Sequence, residues 1–109
     1  MRHAFIDKLR YMNDQDIFSA LSNPTRRKIL AWMRDISGAL GERAGAESNE
    51  VCVSEIQRKT NLSQSTVSAY MAALERAGLV TAERRGQWTF FKRDERAISA
   101  FARKIAEEL

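Results

Sequence analysis

Residues 62–78 read LSQSTVSAYMAALERAG, and the assignment of this stretch decides the fold. Ser63 can cap a helix by accepting a backbone N–H of its first turn. Leu62 before the cap and Val67 at the fourth helical position have the spacing of a hydrophobic staple, which sets the angle at which the chain enters the helix. Val67, Met71 and Leu74 repeat on one inward face, and Gly78 ends the helix as a left-handed C-terminal residue. The spacing predicts a helix over 63–77. Its outward face carries Gln64, Ser65, Ser68 and Ala72, with Ala69 and Tyr70 near the edge, a small and polar surface with little charge.

On the N-terminal side, Val51, Cys52 and Val53 form a brief extended run. Ser54 and Gln57 then make a capping-box pattern that opens a short helix through Lys59, and Asn61 marks the turn. On the C-terminal side, Leu79 to Arg84 and Trp88 to Lys92 read as two strands joined through Arg85, Gly86 and Gln87. This is a hairpin with glycine in the turn and arginines at its tip. Asp94 caps a final helix, Glu95 to Glu108, whose Ile98, Phe101, Ala102, Ile105 and Leu109 repeat at helical spacing.

The N-terminal third holds two more helices. The first starts from an Asn13 cap, with Asp14 and Asp16 in the positive first turn and Ile17, Phe18 and Leu21 along one face, and ends at Ser22. Asn23-Pro24 restarts the chain, because proline at the first helical position loses no needed hydrogen bond and already has helical φ. The second helix runs to Asp35 and buries Ile29, Leu30 and Met33. Residues 36–50, with Gly38, Gly41 and Gly45, read as an inserted loop.

A chain of 109 residues suits one domain spanning 1–109. Hydrophobic content of 44% with 29% charged residues excludes the disordered and collagen-like classes. The predicted class is mainly α with a small β-hairpin. The net charge of +4 suits a polyanionic partner. One cysteine, Cys52, excludes an intramolecular disulfide framework and fits a reducing compartment. Met1 to Arg10 contains no apolar run resembling a signal peptide, and no later stretch reaches membrane-spanning length, so the expectation is a cytoplasmic protein away from membranes.

Two helices joined by a tight turn, the second capped by serine and followed at once by a basic hairpin, follow the plan of a winged helix-turn-helix. A helix that enters the major groove needs short side chains such as Ser65 and Ser68 to let its backbone approach, and Gln64 is long enough to pair with adenine. Its N-terminus offers free N–H groups to a phosphate. Arg84 and Arg85, with Gln87 beside them, would hold the flanking backbone or enter the minor groove. Each feature alone has a plainer reading as a surface cap or a solvated hairpin, whereas their order favours double-stranded DNA.

The stretch Ile17-Phe18-Ser19-Ala20-Leu21-Ser22-Asn23-Pro24-Thr25-Arg26-Arg27-Lys28-Ile29-Leu30 resembles the opening signature of the ArsR/SmtB family of bacterial repressors. Leu62-Ser63-Gln64-Ser65-Thr66-Val67-Ser68, followed by Leu74-Glu75-Arg76-Ala77-Gly78-Leu79-Val80, resembles its recognition helix and the start of its wing. The resemblance covers Asp14 to Arg93. It implies a dimeric winged helix-turn-helix fold and a homodimer held by the first and last helices, repressing transcription until an inducer releases it. The matching recognition positions are Ser63, Gln64, Ser65, Thr66 and Ser68, then Ala69 and Tyr70, where many relatives carry histidine. Tyr70 reads equally as a phosphate contact and as a ring packed against the preceding helix. Phe5, Ile6 and Leu9 would add apolar area to the interface formed with Ile98, Phe101 and Ile105.

The family's usual sensors are missing from these residues. Its arsenic-type site uses Cys-Val-Cys at the start of the third helix, and this chain has Cys52-Val53-Ser54, one thiolate where a soft ion needs two or three ligands. The other common site uses histidines and carboxylates of the last helix. The single histidine is His3, and Asp94, Glu95, Glu107 and Glu108 sit at the helix ends. No metal or other cofactor is expected, and the inducer is not legible. Cys52 reads either as a small buried thiol or as the site of a redox response. The 36–50 loop reads either as a tolerated insertion or as a place where a ligand or partner engages. The rival to a DNA regulator is a winged-helix module for protein interaction. No nucleophile and base pair, phosphate-cradling loop or clustered carboxylates suggest an enzyme, so no catalytic residue is assigned.

Overall fold

The computed structural model describes residues 14–36 and 50–109. The Asn13 cap, His3, the interface candidates Phe5, Ile6 and Leu9, and all but the ends of the 36–50 loop lie outside the described residues. Among the described residues, five helices and one small sheet follow in the order α1 (Asp14–Leu21), α2 (Pro24–Asp35), β1 (Glu50–Cys52), α3 (Val53–Thr60), α4 (Gln64–Arg76), β2 (Val80–Arg85), β3 (Trp88–Arg93) and α5 (Glu95–Glu108).

The helix boundaries follow local chemistry. Asn23 Oδ1 accepts the backbone N–H of Thr25 at 2.8 Å and of Arg26 at 3.1 Å, so one side chain satisfies two orphan donors of α2 while Pro24 stands at its first position. α3 departs from the sequence expectation. Its cap is Cys52 rather than Ser54, and the backbone N–H of Cys52 donates to Glu55 Oε1 at 2.9 Å. Glu55 therefore does the work expected of Gln57, from a buried position at the third residue of the helix. At its other end Asn61 adopts φ 59°, and its N–H donates to Gln57 O at 2.7 Å. Asparagine tolerates this left-handed conformation better than most residues, which is why the turn falls there.

α4 closes through Gly78 at φ 79°, with Gly78 N–H donating to Glu75 O and Leu79 N–H to Leu74 O. β2 and β3 are joined by a two-residue turn, Gly86-Gln87, rather than the three residues anticipated, because Arg85 still pairs with Trp88. Gly86 has φ 61°, as the first central position of a II′ turn requires. The hairpin also gains a third strand. Glu50, Val51 and Cys52 pair antiparallel with Lys92, Phe91 and Phe90, giving the order β1-β3-β2. The expected extended run thus begins one residue earlier and is a strand of the sheet, while Val53 joins α3.

Side chains alternate across a strand, so this register sorts the sheet into two faces. Val51, Phe91 and Val80 join the core with Ile17, Ile29, Ile56, Val67, Met71, Leu74 and Leu79. Glu50, Phe90 and Arg85 share the opposite face. α4 is central, its Val67, Met71 and Leu74 each 0% exposed. Phe18, which the sequence sets along one face with Ile17 and Leu21, is 46% exposed and meets Phe101 of α5 edge to face, with ring centroids 5.5 Å apart. Lys104 pairs with Asp14 beside this contact, so α5 is held against α1 by an aromatic pair and an ion pair. The Asp14 carboxylate holds the Lys104 ammonium above its ordinary pKa through their hydrogen bond.

Candidate nucleic-acid interface

The start of α4 is built by its cap. Ser63 is extended, and its Oγ accepts the Thr66 N–H at 3.2 Å while the hydroxyl donates to Thr66 Oγ1 at 2.9 Å. Ser65 Oγ lies 3.2 Å from Ser63 Oγ, so the three hydroxyls form a cluster at the helix N-terminus. Ser63, Gln64, Ser65, Ser68 and Ala69 are exposed, and Thr66 is half-buried.

Successive helical residues advance by about 100°. With Val67, Met71 and Leu74 facing inward, Gln64 and Ser68 stand on one flank of α4 and Tyr70 on the other. The first flank meets the hairpin. Gln64 and Ser68 line a groove of about 480 Å³ with Ser54 and Gln57 of α3 and with Arg84, Gln87 and Trp88 of the wing. Four residues singled out from the sequence, Gln64, Ser68, Arg84 and Gln87, are therefore brought to one surface by three separate elements. Arg84 supplies the positive charge of this groove, and its Nε donates to Gly86 O only at 3.5 Å, leaving the guanidinium available to a ligand.

Tyr70 and Arg85 are placed otherwise. The Arg26 guanidinium lies over the Tyr70 ring, 5.2 Å from its centroid, and is itself held by Ala20 O at 2.8 Å and Ser19 O at 3.0 Å. The ring is half-buried against the core, in keeping with the packing alternative for this residue. Arg85 corrects the expectation of two arginines projecting from the wing tip. It pairs with buried Glu50 and lies over the Phe90 ring, 4.1 Å from its centroid. Arg84 lines the groove, whereas Arg85, its neighbour on the strand, is turned to Glu50 and Phe90.

The groove also holds residues that the sequence does not single out as DNA contacts, Ser54, Gln57 and Trp88 among them. In the sequence Ser54 and Gln57 read as a capping box and Trp88 as the start of a strand. Trp88 is 48% exposed on the wing. Its position one residue after the turn, beside Gln87, was the available signal. Cys52 is buried, with Sγ 3.1 Å from Ser54 Oγ. Ile98 and Phe101 of α5 are half-buried against the core, and Ile105 is half-exposed one turn further on. Among the described residues no group of three or more His, Cys, Asp or Glu could hold a metal ion, and no helix is long and apolar enough to cross a membrane.

Residues 46–82, which span β1, α3, α4 and the start of the wing, match the model of the bacterial regulatory protein family arsR. The chain is 41% identical over 100 residues to the Bacillus subtilis HTH-type transcriptional regulator YbzH, a match that covers 90% of this chain and all (100%) of that one. Among solved structures, the homodimeric winged helix-turn-helix DNA-binding domain of a Mycobacterium bovis protein superposes with a TM-score of 0.59 at 26% identity, covering 99% of this chain and 86% of that one. An ArsR-like transcriptional regulator from Rhodococcus superposes with a TM-score of 0.65 at 19% identity, over 93% of this chain and 81% of that one, a likeness of fold. With α3 and α4 forming the helix-turn-helix and β2 and β3 its wing, the chain belongs to the ArsR family of DNA-binding winged helix-turn-helix transcriptional regulators.

Proposed function

We propose that this protein is a cytoplasmic repressor that binds a pseudo-palindromic operator as a homodimer, and that it has no enzymatic activity. The observation that carries this reading is the groove in which Gln64 and Ser68 of α4 stand beside Arg84 and Gln87 of the wing. Gln64 pairs with a base edge in the major groove, the short Ser65 and Ser68 let the helix approach, and the hydroxyl-rich N-terminus at Ser63 and Thr66 meets a phosphate. Arg84 and Gln87 hold the adjacent backbone. Arg85 acts by orienting the wing, and Tyr70 by packing.

A continuous apolar strip supports the dimer. Ile98, Phe101, Ala102 and Ile105 lie on one face of α5, and Phe18 of α1 borders it. Pairing these strips across a two-fold axis sets two recognition helices about 34 Å apart, one turn of DNA. Because the chain contains one cysteine and one histidine, the signal it answers is something other than a soft metal ion held in a thiolate cluster.

The test is fluorescence anisotropy of the protein on the promoter DNA upstream of its own gene and on a scrambled duplex, across a salt series. Preference for the promoter with a steep salt dependence supports the repressor reading. Weak, salt-insensitive and sequence-blind behaviour would transfer the fold to protein interaction.

A further inference from the structure

A second recess lies on another side of the helix-turn-helix. Thr25, Lys28, Ile29 and Trp32 follow one another at i, i+3, i+4 and i+7, so they form a single face of α2. Opposite them stand Lys59 and Thr60, the last turn of α3, and the two helices enclose a cleft of about 290 Å³. Its lining combines the half-buried Trp32, the fully buried Ile29, two threonines and two exposed lysines, with no acidic residue among them. Neither lysine makes an ion pair with a described residue. Two exposed lysines on the rim of a recess with an apolar wall suit an anion with a flat apolar body. The volume lies at the small end of ligand pockets, which suits a single ring and excludes a nucleotide.

We propose that this cleft binds a small planar aromatic carboxylate, its ring against Trp32 and its carboxylate between Lys28 and Lys59, and that occupancy is linked to DNA binding. The linkage follows from Thr60. Its hydroxyl donates to Ile56 O at 2.7 Å and accepts the Leu62 N–H at 3.3 Å, so a residue lining the cleft also holds the turn that leads into Ser63 and α4. A ligand that draws the last turn of α3 toward α2 changes how α4 is presented. By reciprocity, DNA then opposes the ligand as much as the ligand opposes DNA. This second half rests on the DNA reading; the first half does not.

Salicylate serves as the probe, read through the indole N–H resonances of Trp32 and Trp88 in a two-dimensional NMR titration of the whole chain. The expected result is a saturable shift of the Trp32 resonance with that of Trp88 unmoved, and an affinity about tenfold lower in Lys28→Ala/Lys59→Ala. The unperturbed Trp88 resonance and core spectrum of that variant report that it still folds. No shift at Trp32, or an equal shift with inorganic phosphate, would overturn the site. If salicylate leaves Trp32 unmoved while Lys28→Ala/Lys59→Ala weakens DNA binding, the lysines are backbone contacts and the proposal fails. In the linked assay, salicylate raises the operator Kd about tenfold in the parent and leaves it unchanged in the double variant. A Trp32 shift without that change overturns the linkage alone, and a Trp32 shift in a protein that binds no DNA at all overturns the repressor reading while the site stands.

Discussion

Arg85, the last residue of β2, is ion-paired with Glu50, the first residue of β1, across 35 positions of sequence. β3 lies between the two strands, and the Arg85 guanidinium crosses it over the face of Phe90. The Glu50 side chain is 5% exposed and that of Arg85 33%, so the pair is screened less than a surface bridge. It ties the wing to the strand that leads into the helix-turn-helix.

Neighbouring arginines should therefore fail in different ways. Arg85→Ala strands a buried carboxylate without this partner and lowers stability by about 1.5–3 kcal/mol, measured by urea unfolding. Arg84→Ala stays within about 0.5 kcal/mol of the parent. Its effect appears instead on DNA, where all duplexes weaken similarly and the salt slope flattens by about one unit. Equal stability of the two variants would refute the division of labour.

Gln64→Ala should erode discrimination more than affinity. Losing a side chain that pairs with a base edge costs about 1–3 kcal/mol on the operator and little on scrambled DNA. Competition anisotropy measures the ratio, and parallel losses on both duplexes would remove Gln64 from readout.

The apolar strip of α5 predicts an oligomeric state. Ile105→Glu places a charge on the proposed two-fold interface without touching the core, so sedimentation should give half the parent mass with an unchanged helical spectrum. Operator affinity should fall with it, because one recognition helix reads only half a site. A variant that sediments like the parent would move the interface elsewhere.

A pH-dependent contribution comes from the end of the wing. The Arg93 guanidinium makes hydrogen bonds of 2.8 and 3.1 Å to the Glu95 carboxylate and holds its pKa below the ordinary value of 4.5, with burial opposing more weakly. A depressed folded-state pKa means that this stabilisation is present above the unfolded value and is lost as pH falls through the folded one. Glu95 is 65% exposed, so solvent screening keeps the effect below about 1 kcal/mol. The stability difference between the parent and Glu95→Gln should thus be present near neutrality and vanish in acid. A difference that persists at low pH would assign it to packing.

Much of this architecture is local and so was legible in the chain. Asn23-Pro24, Ser63, Gly78, Gly86 and Asp94 act on backbone groups within a few residues, and Val67, Met71 and Leu74 expose their helical period to any reader. The helices, the hairpin and their order follow from such signals, and the family was legible through the resemblance carried by residues 17–30 and 62–80. Folding decided which residues share a surface. Gln64, Ser68, Arg84 and Gln87 look equivalent to Tyr70 and Arg85 along the sequence, yet the first four converge on one groove while the last two turn to Arg26 and Glu50. The pairing of β1 was hidden for the same reason: a run of three residues carries too little periodicity to announce a partner strand that lies 42 positions away where Glu50 meets Lys92. Glu55 displaced Gln57 from the capping box because strand β1 ends at Cys52, which moves the cap two residues earlier and makes Glu55 the third residue of α3. Local hydrogen bonds and period belong to the chain, whereas convergence of distant side chains exists only once the core around Met71 has formed.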